Sequence, residues 1–201
     1  MRYLNKIVFI NSAAIRYSEV QLDGNIHLIG TQGVGKSTIL RAILFFYNAD
    51  TQRLGIPVEK KSYQDYYFPY ADSSIIYEVA REDGWFTVLS YKTMNRICYR
   101  FIASPYRPDL FIDEEGAPYP SDRIRSVLDK NGIKYSGAIS TYEEYRNILY
   151  GNSDNKRDYS CYSLMESGSY QNIIRTIQNV LLNSRLEADY IKQTIITSLN
   201  E

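Results

Sequence analysis

One octapeptide constrains this chain more than any other stretch of it. Gly30-Thr31-Gln32-Gly33-Val34-Gly35-Lys36-Ser37 meets every fixed position of G-x-x-x-x-G-K-[ST], a pattern that works only where a strand feeds a loop and the loop opens a helix. The flanks supply both. Asn25 to Ile29 reads as a strand after the turn Asp23-Gly24. Ser37 to Tyr47 reads as a helix so apolar, through Ile39, Leu40, Ala42, Ile43, Leu44, Phe45 and Phe46, that it must be buried on most sides. In such a loop Gly33 and Gly35 let backbone N–H groups close around a β-phosphate, and the helix N-terminus adds partial positive charge. Lys36 is expected to bridge β- and γ-phosphates, and the Ser37 hydroxyl to hold Mg²⁺. Gly30, Thr31, Gln32, Gly33, Val34, Gly35, Lys36, Ser37 and Thr38 are therefore the candidate binding residues, with Lys36 the candidate catalytic one. A glycine-rich turn that merely starts a helix is the weaker reading in this context.

The remaining elements follow from pattern and turn chemistry. Tyr3 to Ile10 and Ser18 to Leu22 read as strands ahead of the loop. Asn48 to Ala71 carries charge, Pro57, Pro69 and the tyrosines Tyr63, Tyr66, Tyr67 and Tyr70 with no sustained period, which predicts a long surface excursion. Ser74 to Ala80, Trp85 to Tyr91 and Arg96 to Ala103 predict an antiparallel meander, its first hairpin turning at Glu82-Asp83-Gly84. Ser121 caps a helix to Lys130 closed by Asn131-Gly132. Thr141 with Glu144 forms a capping box for another ending near Tyr150-Gly151. Beyond the polar loop Gly151 to Tyr159, the residues Ile174, Ile177, Leu181, Ala188, Ile191 and Ile195 recur at steps of three and four, broken near Asn183-Ser184. That spacing predicts core helices in preference to the start of a coiled coil.

Composition narrows the classes. The 201 residues are 44% hydrophobic, enough to build a core and exclude disorder, and 23 basic residues balance 23 acidic ones. Any nucleic-acid surface must therefore be local. No apolar run approaches the roughly 18 residues of a membrane span, so a cytoplasmic protein without membrane contact is expected. Cys98, Cys161 and the single His27 cannot assemble a disulfide framework or a zinc site. The twenty tyrosines are the unusual entry in the composition, and half-buried packing outweighs a stacking surface as their explanation.

Hydrolysis by such a loop also needs a carboxylate at a strand end to hold metal and position water. Asp113 and Glu114, after Leu110-Phe111-Ile112, are the candidates. The short apolar run, Pro105, Pro108 and the turn Glu115-Gly116 favour a solvated turn instead.

The strand-rich start, the strand Asn25 to Ile29, the loop G-x-x-G-x-G-K-S and the helix Thr38 to Phe46 together resemble the N-terminal lobe of an ABC-type ATPase head of the SMC and MukB-like kind. The resemblance is specific over the first fifty residues and an outline beyond them. It is nearest to the MukB-related subunits of condensin-like complexes, including the JetC subunit of the Wadjet plasmid-defence system. It implies an α/β ABC-type head lobe over residues 1–168 and a helical exit over 169–201, with the start of a coiled coil as one reading of that exit. It also implies ATP with Mg²⁺ as ligand, and signature and Walker B residues in a C-terminal lobe. Gln32 departs from the Asn common at that loop position. Gln64 is a weak counterpart of the switch-loop glutamine, and Ser167-Gly168-Ser169-Tyr170-Gln171 resembles a signature only faintly, a helix N-cap being the better explanation.

The implied partners are a C-terminal lobe of the same protein, a second ATPase head, DNA through the full complex, and kleisin-like subunits. The implied activity is ATP hydrolysis by that assembly, driving a DNA-organising or plasmid-defence machine, with little turnover by this chain alone. The alternatives are a self-contained small P-loop kinase or NTPase and the ATPase subunit of a nuclease-linked defence system. The expected meander disfavours the kinase, because kinases of that kind follow the loop with repeated βαβ units. The adenine contact is expected at Ala14 to Tyr17.

Overall fold

The computed structural model describes residues 2–24, 26–48, 56, 61–94, 96–151 and 159–164. Its frame is a five-stranded sheet built from β1 (Tyr3–Ser12), β2 (Ile15–Gln21), β3 (Ser74–Arg81), β4 (Gly84–Thr93) and β5 (Arg96–Ile102). The spatial order is β2-β1-β3-β4-β5, and every neighbouring pair is antiparallel. β3 is buried along nearly its whole length. A strand covered on both faces has no wet side to keep polar, which is why it reads as an apolar run and not as an alternation. β2, at the sheet edge, is only partly covered.

Each face has its own cluster. Ile7, Phe9, Ile75, Tyr77, Val88 and Phe101 pack beneath α1 (Lys36–Asn48), α2 (Tyr63–Tyr67) and α4 (Tyr142–Leu149). On the opposite face Val8, Ile10, Ile76, Leu89 and Ile102 pack with Leu110, Phe111 and α3 (Ser121–Lys130), through Ile124 and Leu128. The result is a mixed α/β unit with helices on both sides of an antiparallel sheet. The outer edge of β5 is closed by the segment after α3: Tyr99 N–H donates to the Ile139 carbonyl at 2.8 Å, and Ile139 N–H returns the bond at 2.9 Å. An edge paired in this way offers no template for another strand.

The tyrosines explain how α1 is held. Four phenol hydroxyls donate to its backbone carbonyls: Tyr67 to Thr38 (2.8 Å), Tyr77 to Ala42 (3.1 Å), Tyr145 to Phe46 (2.6 Å) and Tyr150 to Tyr47 (2.5 Å). Thr38, Ala42 and Phe46 are spaced by four and so lie on one side of the helix. Phe46 and Tyr47 belong to its last turn, where carbonyls have no partner further along the helix. Here tyrosine does two jobs that Phe could not combine, filling the core with its ring and satisfying a carbonyl with its hydroxyl.

The three meander strands and both later helices form as expected, with Thr141 Oγ1 accepting from Glu144 N–H at 3.2 Å. Pro120, not Ser121, occupies the position before α3, and Ser121 is its first helical residue. Proline's fixed φ suits that entry. The excursion Asn48 to Ala71 contains the short helix α2, opened by Ser62, whose hydroxyl accepts from Asp65 N–H at 3.1 Å. Within the tyrosine cluster Tyr63 and Tyr67 are buried, whereas Tyr66 and Tyr70 are exposed.

The expected strand Asn25 to Ile29 is a correction. Residues 26–31 adopt no strand, and Ile29 is 91% exposed. A strand exists only through ladder bonds to a neighbour, and in this sheet the position beside β1 on that side is taken by β2. The glycine loop is therefore entered from a segment outside the sheet. The seam from Ile174 to Ile195, the helical exit 169–201 and the Ser167 to Gln171 segment lie outside the described residues. Cys98 is buried and Cys161 exposed. Among the described residues no helix is long and apolar enough to cross a membrane.

Candidate functional site

The glycine loop owes its shape to its own backbone. Gly33 (φ +90°) and Gly35 (φ +93°) take left-handed backbone that a side chain would strain. A Cβ at Gly30 would lie 2.8 Å from Val34 Cγ2. Lys36 then begins α1, and the first helical bonds run from Thr38 and Ile39 N–H to the Gly35 carbonyl at 3.0 and 3.2 Å. The first turn carries no acidic residue, so the field of the helix end is uncompensated. The Lys36 ammonium folds back over the loop and donates to the carbonyls of Gly30 and Thr31, spanning it from end to end.

This loop is one wall of a cleft of about 1360 Å³. Gln32 to Ile39 form that wall. The turn joining β1 to β2 contributes Ala13, Ala14 and Ile15, and α2 contributes Tyr66 and Tyr67 from the other side. Ala13 is held at φ +55°, a conformation non-glycine residues adopt at a cost of order 1 kcal/mol or more. The cleft's charge is one-sided: Lys36, Arg41 and Lys61 line it, and among the described lining residues there is no Asp or Glu. In a chain whose net charge is zero, that local excess gives the cleft a positive potential. Burial pushes the pKa of the Tyr67 hydroxyl up, only partly offset by the nearby Arg41 cation, so it stays a neutral donor to the Thr38 carbonyl.

The family described as a protein of unknown function, DUF3584, matches residues 11–201. This chain belongs to that family. No curated protein matches it. The matched span takes in every residue lining the cleft of this DUF3584 chain, from Ala13 to Tyr67.

Of the residues the sequence nominates, Gln32 to Thr38 meet in the cleft, and Gly30 and Thr31 join them through the Lys36 ammonium. Ala14 and Ile15, from the segment expected to touch a nucleotide edge, line the same space. Asp113 and Glu114 do not. They follow Leu110 and Phe111, which pack in the cluster on the sheet face opposite α1. Asp113 Oδ1 is occupied by the N–H groups of Glu115 (3.1 Å) and Ala117 (2.7 Å), the solvated turn that Pro108 and Gly116 foreshadow. Gln64 sits on α2 but does not line the cleft.

The DUF3584 cleft also contains residues that the sequence does not nominate as ligands. Arg41 lies one helical turn after Ser37 and shares its face, a spacing visible in the sequence once the helix is accepted. Tyr66, Tyr67 and Lys61 carry no such signal, because only the fold brings their excursion back across the loop.

Proposed function

We propose that this chain is the ATP-binding N-terminal part of an SMC-like ATPase head, with an ABC-type lobe fold. The observation that carries the reading is the pairing of a complete glycine-lysine-serine loop at a helix N-terminus with a cleft lined by Lys36, Arg41 and Lys61 and by no described carboxylate. The loop's N–H groups and Lys36 would take the β- and γ-phosphates, and Ser37 would hold Mg²⁺. Bound Mg²⁺ would screen phosphate charge. DUF3584 is associated with RecF-, RecN- and SMC-like proteins, which supports the same class.

The position of Asp113 away from the cleft favours a half-site over a self-contained kinase, since no described cleft residue can serve as the metal-binding or water-positioning carboxylate. Hydrolysis would then require a C-terminal lobe and a second head, and its output would be the opening and closing of a DNA-organising or plasmid-defence complex with kleisin-like subunits. The segment 26–31 outside the sheet, with Ile29 exposed beside the loop, fits a chain that packs against a further lobe.

The test is MgATP binding by calorimetry together with steady-state hydrolysis, for wild type, Lys36→Ala and Asp113→Ala. Binding lost in Lys36→Ala, retained in Asp113→Ala and accompanied by negligible turnover supports the half-site. Robust turnover that needs both Lys36 and Asp113 would make the chain a complete small P-loop enzyme and refute the proposal.

A further inference from the structure

The wall of the cleft opposite the glycine loop is built with unusual care for an exposed segment. α2 has five residues, too few to be stable alone, and it is fixed through its rings. Tyr67 stacks on Tyr63 at 4.2 Å, and Tyr63 stacks on Phe45 of α1 at 4.4 Å. The Tyr67 hydroxyl adds the bond to the Thr38 carbonyl. Tyr66 stands edge-on against Tyr67, centroids 5.0 Å apart and planes at 81°, which fixes its ring while leaving the residue 39% exposed.

The Tyr66 hydroxyl lies 3.3 Å from Thr38 Oγ1, the side chain at the rim of the loop. Two hydroxyls joined by one hydrogen bond hold two protons and use one. Where Thr38 donates, the Tyr66 proton is left for the cleft, with no acceptor for it among the described residues. The nearest carboxylate on the same helix is engaged elsewhere: Asp65 accepts from the Ser62 hydroxyl at 2.7 Å and from Lys92 at 3.3 Å. Among the described residues, the charged side chains that share the cleft with Tyr66 are all cationic, Lys36, Arg41 and Lys61. An immobilised O–H donor among cations suits an anionic oxygen, because the charge-assisted bond is strong and little side-chain freedom remains to be lost.

We infer that Tyr66 is a direct ligand of the polyphosphate, its phenol donating to a phosphate oxygen beside Thr38. This rests on the reading of the cleft as an ATP site and adds a contact from outside the glycine loop. Tyr66 thereby completes a two-sided grip, with backbone N–H groups and Lys36 on one wall and the phenol on the other.

The experiment is calorimetric titration of the 201-residue chain with MgATP, for wild type, Tyr66→Phe, Tyr70→Phe and Lys36→Ala, with a thermal melt of each. Tyr70 is an exposed tyrosine that does not line this cleft. The expected result is about tenfold weaker binding for Tyr66→Phe, with its melting temperature and the Tyr70→Phe affinity both at wild-type values. Lys36-dependent binding that Tyr66→Phe leaves unchanged overturns the role of Tyr66 and spares the ATP-site reading. Weaker binding accompanied by a lower melting temperature assigns Tyr66 to support of the loop and also overturns its role as a ligand. Binding that is absent from wild type, or indifferent to Lys36, overturns both.

Discussion

Replacing Tyr145 by Phe tests the claim that tyrosine hydroxyls hold α1. The ring of Tyr145 is buried at 1% exposure, and its hydroxyl donates to the Phe46 carbonyl at 2.6 Å. That carbonyl lies in the last turn of the helix, and the Phe46 residue is itself fully buried. Phe keeps the ring and its packing on Tyr99, centroids 4.3 Å apart, and removes only the donor. What is lost is one buried hydrogen bond, and what remains is a buried acceptor with little access to water, a change that costs about 1–3 kcal/mol. For a chain of this size each kcal/mol lowers the melting temperature by about 2–4 °C, so a loss near 2 kcal/mol predicts a fall of about 4–8 °C. Calorimetry or a circular-dichroism melt reads it, with Tyr142→Phe as the control, since Tyr142 is 54% exposed on the same helix. A Tyr145→Phe protein melting within about 1 °C of wild type, or a control that falls equally, would refute the reasoning.

Two further outcomes follow from the same packing. Burial holds the hydroxyls of Tyr63, Tyr77 and Tyr145 well above the ordinary tyrosine pKa of 10.0. The folded state therefore keeps protons that the unfolded chain releases. Stability is unaffected by these groups below pH 10 and falls as pH climbs above it. Urea midpoints at pH 8 and about pH 10.5, read with tyrosinate absorbance, should show a lower midpoint at the higher pH, and equal midpoints would contradict the burial. Thr141→Ala removes the acceptor at the start of α4 and should destabilise by about 1 kcal/mol in denaturant titration, with Thr141→Ser close to wild type.

The elements legible in the sequence are those whose signals are local. Glu82-Asp83-Gly84 specifies a hairpin wherever it stands, Thr141 and Glu144 cap a helix whatever it packs on, and the glycine loop dictates its own backbone. The segment Asn25 to Ile29 has strand composition, yet a strand also needs a neighbour, and composition says nothing about who stands alongside. The tyrosines show the same division. Tyr63 and Tyr67 are four apart and share the buried side of α2, and Tyr66 between them faces the cleft. A helix of five residues is too short for that period to be recognised in the sequence. Half of the candidate site was thus readable in one octapeptide, while Tyr66, Tyr67 and Lys61 reach it only through tertiary contact.

The anchoring of α1 also sets an order in time. The hydroxyls that secure its far end belong to Tyr145 and Tyr150, which follow Phe46 and Tyr47 by 99 and 103 positions. A ribosome adding about 5–20 residues per second makes them some 5–20 s after the helix itself. In that interval the glycine loop and its helix already exist as sequence, but the last turn of α1 ends in carbonyls without their phenols. The growing chain thus acquires an α1 anchored at both ends only once α4 has been synthesised, long after the octapeptide has left the peptidyl-transferase centre.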